Sequence, residues 1–258
     1  MHRTVATWDE LAEAFHDVRN FLMTGPCVPF AFDFPPLDEL VDALRRDEQA
    51  RITRGQAEVG IDGSDIRETF RDMPIADAMR QPFALAHFAL DRFYGLGQVF
   101  ERFEQWVMDP WREALRSAGF TWERCYPICF ISGAHCMTGY HMDFSHVIAW
   151  QTHGTKRFVG YRQPDRWAPR EARFDFMARG YDGLAHPTGL VEADELAYVM
   201  NPGDVLWNII LTPHRVVAGD MPACSINLSH RGVRLHGRLC DLEQERYDWA
   251  AAHGQPVP

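Results

Sequence analysis

The chain has 258 residues, with 46% hydrophobic and 24% charged, and its 26 basic against 36 acidic residues give a formal net charge of −10. This is the profile of a large globular domain and excludes a disordered chain, a collagen repeat and a disulfide mini-protein. The acidic balance disfavours polyphosphate, so no nucleic-acid partner is expected.

Residues 1–7 lack the basic-then-apolar layout of a secretory signal, and no apolar run approaches the ~20 residues of a membrane span. A soluble, cytoplasmic protein with no membrane partner is expected. Thr7 stands three residues before Glu10, the spacing of a capping box, and Leu11, Phe15, Val18 and Phe21 then follow at steps of three or four. That periodicity predicts a helix with one apolar face. Further helices are expected from about 38 to 46, with Leu40, Val41 and Leu44 inward, and from 89 to 107. A fourth begins at Asp109 as N-cap with Pro110 in its first turn.

From residue 126 the texture changes to short β-branched and aromatic runs separated by turn signals, at 126–132, 145–152, 157–161, 196–200, 204–210, 215–218 and 224–228. Many short strands without helical periods between them predict an antiparallel sandwich or barrel. The Arg-, Asp-, Pro- and Gly-rich stretch 162–189 reads as a long inserted loop, and 241–253 as a closing helix. The six cysteines show no paired CxxC spacing and are expected to be reduced core thiols.

His141 and Asp143 are two apart in an expected extended segment and therefore share a face. His214 follows 71 residues after Asp143. Two imidazoles and one carboxylate form the facial triad of non-haem Fe(II) oxygenases, which leaves coordination positions open. Fifteen residues beyond His141 lies Lys156, the only lysine in the chain, at the head of the alternating run Arg157-Phe158-Val159-Gly160-Tyr161. An inward-pointing ammonium on such a strand is costly unless an anion meets it. His135, His146, His153, His186 and His230 are read as local hydrogen-bonding or loop residues.

The stretch that ends in Cys136-Met137-Thr138-Gly139-Tyr140-His141-Met142-Asp143 resembles the strand, turn and HxD of the Jumonji-C-type (JmjC) Fe(II)/2-oxoglutarate oxygenases, within the group of the hypoxia-inducible-factor asparaginyl hydroxylase. Gln151-Thr152-His153-Gly154-Thr155-Lys156 is similar to that family's Q-x-x-G-x-K segment, and Gly203-Asp204-Val205-Leu206 with His214 to its G-D-V-L strand and distal histidine. The resemblance covers 126–164 and 201–231. It implies a mainly β fold, a double-stranded β-helix (jelly-roll or cupin) core over 121–240 preceded by N-terminal helices over 1–120 and followed by a helix and tail over 241–258, all in one domain. It implies Fe(II), 2-oxoglutarate and O₂ as cofactor and co-substrates, with His141, Asp143 and His214 on the metal. Lys156 and Thr138 would hold the distal carboxylate of 2-oxoglutarate, Asn227 the metal-proximal end, and Tyr126 a further hydroxyl contact. The implied reaction is hydroxylation of an amino-acid side chain in a protein, peptide or small metabolite, with succinate and CO₂ as products.

The chain departs from the family pattern at Val147, where an amide is common, and at Ser229, where a tryptophan is expected. Ile210-Leu211-Thr212-Pro213 replaces an aromatic-rich approach to the distal histidine, so a rebuilt substrate side is expected. The alternatives are a cupin dioxygenase or isomerase that does not use 2-oxoglutarate, and a non-catalytic cupin-fold binding protein. Manganese, nickel or zinc would suit the same ligands, and a homodimer is left open.

Overall fold

A computed structural model describes residues 3–55, 63–184 and 187–255. In chain order its N-terminal part holds β1 (Thr4–Val5), α1 (Trp8–Asp17), β2 (Asn20–Met23), α2 (Leu37–Arg45), β3 (Arg51–Arg54), α3 (Arg67–Asp72), α4 (Ile75–Ala78), β4 (Phe83–His87) and α5 (Asp109–Ser117). There follow β5 (Phe120–Thr121), β6 (Arg124–Ser132), β7 (Met137–His141), β8 (His146–His153), β9 (Lys156–Tyr161), α6 (Pro164–Trp167) and α7 (Arg170–Arg179). The chain closes with β10 (Glu195–Met200), β11 (Val205–Asn208), β12 (His214–Ala218), β13 (Ala223–Arg231), β14 (Arg234–Leu235), β15 (Arg238–Leu239) and α8 (Asp241–Ala252).

An eight-stranded sheet runs β1-β2-β11-β8-β13-β6-β4-β3, a four-stranded sheet runs β10-β9-β12-β7, and β15-β14-β5 form a small third sheet. The first two face each other, because Phe158, Tyr198 and Met200 of the smaller sheet pack on Leu206 of the larger. The sequence of β13 alternates apolar and polar residues, which sorts its two faces. Cys224, Ile226 and Leu228 enter the principal core with Phe15, Trp111 and Trp207, between the large sheet and the N-terminal helices. Burial of each such large side chain is worth about 1.5–3 kcal/mol. Ser225, Asn227, Ser229 and Arg231 face the other way, toward the small sheet. The apolar core therefore lies behind the large sheet, and the space between the two sheets is left partly polar.

The capping box forms as the spacing predicts: Glu10 N–H donates to Thr7 Oγ1 (3.2 Å), and the Glu10 carboxylate accepts from the Thr7 amide. The helix expected over 89–107 is broken. A 3₁₀ turn at Leu90–Phe93 gives way to Gly95 and Gly97, and a π-helical turn at Glu104–Met108 then runs directly into α5. Asp109 is consequently inside the helix and Met108 occupies the N-cap. The stretch 162–189, expected as a loop, carries α6, α7 and a further 3₁₀ turn at Gly180–Gly183. Strands β2 and β4, in the part expected to be mainly helical, extend the large sheet.

Candidate metal and co-substrate site

The elements of the small sheet and its connections bring His141, Asp143 and His214 together. His141 ends β7 and His214 begins β12, and the two residues are paired directly across the ladder. Further along the same ladder Val216 faces Thr138, so three residues of β12 (214–216) oppose four of β7 (138–141). This bulge puts Thr138 and His141 on one face despite their odd spacing. Asp143 lies just past β7, where its carbonyl accepts the Leu211 N–H (3.0 Å). Ile210, Leu211 and Thr212 are buried, so this segment braces the carboxylate-bearing turn rather than lining an open substrate mouth. Leu211 has φ of 56°, a left-handed conformation that is strained for a leucine and is held by this packing.

One donor atom from each of the three side chains lies within 4.8 Å of the other two. His141 Nε2 is 3.9 Å and His214 Nε2 is 3.5 Å from the two Asp143 oxygens. Each ring places Nδ1 on a backbone carbonyl: His141 on Gly139 O (2.8 Å) and His214 on Thr212 O (3.0 Å). A carbonyl only accepts, so both Nδ1 atoms carry a proton, and Nε2 is the ring atom that each histidine directs at the carboxylate. His214 is almost fully buried and lies flat on Phe158, with ring centroids 4.8 Å apart. Burial, and then the neighbouring His141, push its pKa down to about 4, so the ring is neutral at physiological pH. The donor set suits a divalent first-row metal, with an accessible side left at Asp143, whose side chain is 23% exposed.

Lys156 opens β9 after Gly154, where φ of 59° and a carbonyl 2.5 Å from any Cβ exclude other residues. The ammonium is 4% exposed and donates to Phe130 O (2.9 Å) and Ser225 Oγ (3.1 Å), both neutral. Among the described residues no carboxylate pairs with it. Burial lowers its pKa, and the nearby thiols of Cys224 and Cys129 oppose that shift. A cation buried on two neutral acceptors is the environment that an incoming carboxylate would complete.

Lys156 pairs with Ala218 on β12, and four residues along that strand lies His214, a rise of about 13 Å. Between those levels the inner face of β13 offers Asn227, whose side-chain oxygen is buried with no hydrogen-bond partner. Thr138 is exposed and lies on the same face of the small sheet as His214 and Phe158. Tyr126 stands farther off, opposite Ser229, with the Arg124 guanidinium 4.4 Å over its ring. In place of the expected tryptophan, Ser229 donates to Ser145 Oγ (3.0 Å).

Sequence reasoning passed over three neighbours of the triad. The Asn208 amide lies 3.3 Å from His214 Nδ1, Phe158 stacks on the ring, and Gly160 leaves room for the Asn20 amide, whose nitrogen would lie only 2.5 Å from a Cβ at that position. A polar residue closing the apolar run Val205-Leu206-Trp207 was the one available signal for Asn208. His146 and His230 are buried behind the large sheet, where they bond Glu243 and Trp111 respectively. His153 bonds Pro35 O, His135 is exposed, and His186 lies outside the described residues.

Comparison with solved structures finds the same fold in YcfD of Escherichia coli, at 16% identity and a TM-score of 0.57, covering 96% of this chain and 58% of that one. A second YcfD structure, described as a ribosomal oxygenase in complex with cobalt and 2-oxoglutarate, matches at 16% identity and a TM-score of 0.56, over 98% and 58% of the two chains. A third, with cobalt and succinic acid, has a TM-score of 0.54 at 16% identity, again over 98% and 58%. The chain thus spans under two thirds of the length of YcfD. No family model and no curated protein matches the sequence.

Proposed function

We propose that the chain is a JmjC-type Fe(II)/2-oxoglutarate-dependent oxygenase that hydroxylates a C–H of an amino-acid side chain, with the two facing sheets acting as a double-stranded β-helix core in one domain over 1–258. One observation carries this reading: two imidazoles and a carboxylate converge between the same pair of sheets as a buried ammonium that, among the described residues, has no carboxylate partner. When bound, ferrous iron would activate O₂, the oxidant, and 2-oxoglutarate would supply two of the four electrons it takes up, so that one oxygen atom ends on the target carbon and the other in succinate, with release of CO₂.

The chain's own residues hold and orient. His141, Asp143 and His214 would occupy one side of the metal, with their tautomers already set by Gly139 O and Thr212 O. Lys156 would take the distal carboxylate, with Ser225 as the adjoining donor and Thr138 at the open edge. Asn227, whose oxygen lacks a partner, would contact the metal-proximal end. Tyr126 stands nearer the opposite end of β13, a position better suited to contact with prime substrate. Packing of Phe158 and Leu206 would exclude water from the co-substrate.

A protein substrate in the cytoplasm is favoured, since the fold neighbour is named a ribosomal oxygenase. A cupin enzyme that does not use 2-oxoglutarate would have no use for Lys156. The test is an anaerobic titration of the Fe(II)-loaded protein with 2-oxoglutarate, following the visible band of a chelated 2-oxo acid. Appearance of the band supports the reading. Iron binding without a band would exclude 2-oxoglutarate, and a failure to bind iron would overturn the metal site itself.

A further inference from the structure

Beyond Asn227 and Ser229, the inner face of β13 ends in Arg231, about 13 Å along the strand from Asn227. Arg231 and Arg246 of α8 together line a cleft of about 460 Å³, whose remaining wall includes Phe144, Met177, Trp249 and His253. Phe144 directly follows the triad residue Asp143 and stacks on Phe176 of α7, so the cleft adjoins the metal site. Trp249 is held flat by His253, which stacks on it with centroids 4.6 Å apart and hydrogen-bonds its carbonyl.

The two arginines have no acidic partner among the described residues. Arg246 is only 5% exposed, and its Nη1, like Nε of Arg231, is buried without a hydrogen bond. Arg124, paired with Arg231 across the sheet, adds a third positive charge. Glu243 and Glu123 are the acidic groups nearby, but the Glu243 carboxylate is already used by the amides of Gly232 and Val233 and by His146 Nε2, and Glu123 pairs with Arg234. Burial pushes the Arg246 guanidinium below its ordinary pKa and the charge of Arg231 adds to that, which is the mark of cations gathered for an absent anion.

We propose that this cleft seats a carboxylate of the prime substrate, with Arg231 and Arg246 gripping the anion and Trp249, Met177 and Phe144 packing on the apolar body that carries it. The proposal rests on the oxygenase reading and adds the substrate class: an acidic side chain or chain terminus attached to an apolar or aromatic neighbour. A carboxylate is favoured over a phosphate because the apolar walls penalise the more heavily hydrated dianion.

The test uses the full chain loaded with Zn(II) and 2-oxoglutarate, and saturation-transfer NMR with three probes: N-acetylphenylalanine, its uncharged amide and phenyl phosphate. The acid should bind and the amide should not. Arg246→Gln and Arg231→Gln should each weaken the acid at least tenfold, whereas Arg80→Gln, which removes an exposed arginine that pairs with Asp77, should leave it unchanged. If Arg246→Gln does not fold, Arg231→Gln and Trp249→Ala carry the comparison. An equal loss of binding in Arg80→Gln, displacement of the acid by excess 2-oxoglutarate, or binding of phenyl phosphate alone would each overturn the proposal. Arginine-dependent binding in a protein that gives no 2-oxoglutarate band would retain the carboxylate cleft and remove the oxygenase reading, so the two failures are distinct.

Discussion

Replacing Lys156 by methionine removes one charge and almost no volume, and the structure sets opposite expectations for the free and the bound protein. In the free protein the ammonium is buried on two neutral acceptors, so its desolvation is only partly compensated. Methionine abolishes that cost, at the expense of two hydrogen bonds worth about 1.5–3 kcal/mol each, since the donor is charged. The folding stability of Lys156→Met without co-substrate should therefore stay within about 1 kcal/mol of the parent. The bound state loses one member of a buried, charge-assisted pair. Removing one partner of such a pair costs about 3–5 kcal/mol, and 3 kcal/mol corresponds to about a hundredfold rise in Kd. Urea denaturation of the free protein and the anaerobic Fe(II) titration read the two effects separately. A large loss of stability with unchanged 2-oxoglutarate affinity would refute this reasoning. It would mean that Lys156 is a structural ion paired with the thiolate of Cys224, whose pKa is drawn down by hydrogen bonds from Cys129 and His153 and by the ammonium, against the opposing effect of burial.

Asp143→Ala should reduce Co(II) or Mn(II) affinity by at least a hundredfold in calorimetry, while the metal-free fold, in which Asp143 is partly exposed, keeps its melting temperature. Glu243→Gln breaks a fully buried contact with His146 and weakens acceptance from two amides, so it should destabilise the fold by about 3–5 kcal/mol in urea without changing metal affinity. His230 has its pKa pushed down to about 3 by burial, with Nδ1–H on Leu228 O and Nε2 accepting from Trp111. Because the unfolded chain binds this proton first, stability from this residue is complete above about pH 6.5 and falls as pH drops toward 3, by up to ~1.4 kcal/mol per pH unit. A His230→Gln variant should show a flatter acid limb in urea midpoints measured against pH.

The candidate metal site is legible in the sequence because its chemistry is local and rare. HxD puts two ligands on one face, and a lone lysine in a chain of arginines stands out. Spacing alone does not show that Thr138 joins His141 on that face, since residues three apart in a regular strand point to opposite sides. The bulge in β7 supplies the missing residue. The strands β2 and β4 escaped notice for a different reason. They are four and five residues long and lie among helical periods, where apolar residues suit either reading, and only their pairing with β11 and β6 decides. The helix expected over 89–107 failed where Gly95 and Gly97 interrupt an otherwise helical pattern.

The carboxylate cleft marks where sequence reading stops. Twenty-five arginines are spread along the chain, and most that the structure describes meet an acidic neighbour, as Arg173 meets Glu245 and Arg215 meets Glu195. What sets Arg231 and Arg246 apart is that they line one cleft with buried guanidinium nitrogens and no such partner among the described residues, and that follows from tertiary structure alone. β13 carries Arg231 out along the row of Ser225, Asn227 and Ser229, and α8 returns from 10 residues later to place Arg246 beside it. Glu243 on the same helix would neutralise them, but the turn at Gly232 and Val233 and the buried His146 claim its carboxylate first. Removing that competition gives a direct check on the logic. In His146→Leu the Glu243 carboxylate is freed of one partner, so it should turn toward Arg246 and weaken N-acetylphenylalanine several-fold, with no change in the 2-oxoglutarate titration. Unchanged binding of the acid would show that Glu243 does not govern the charge of the cleft.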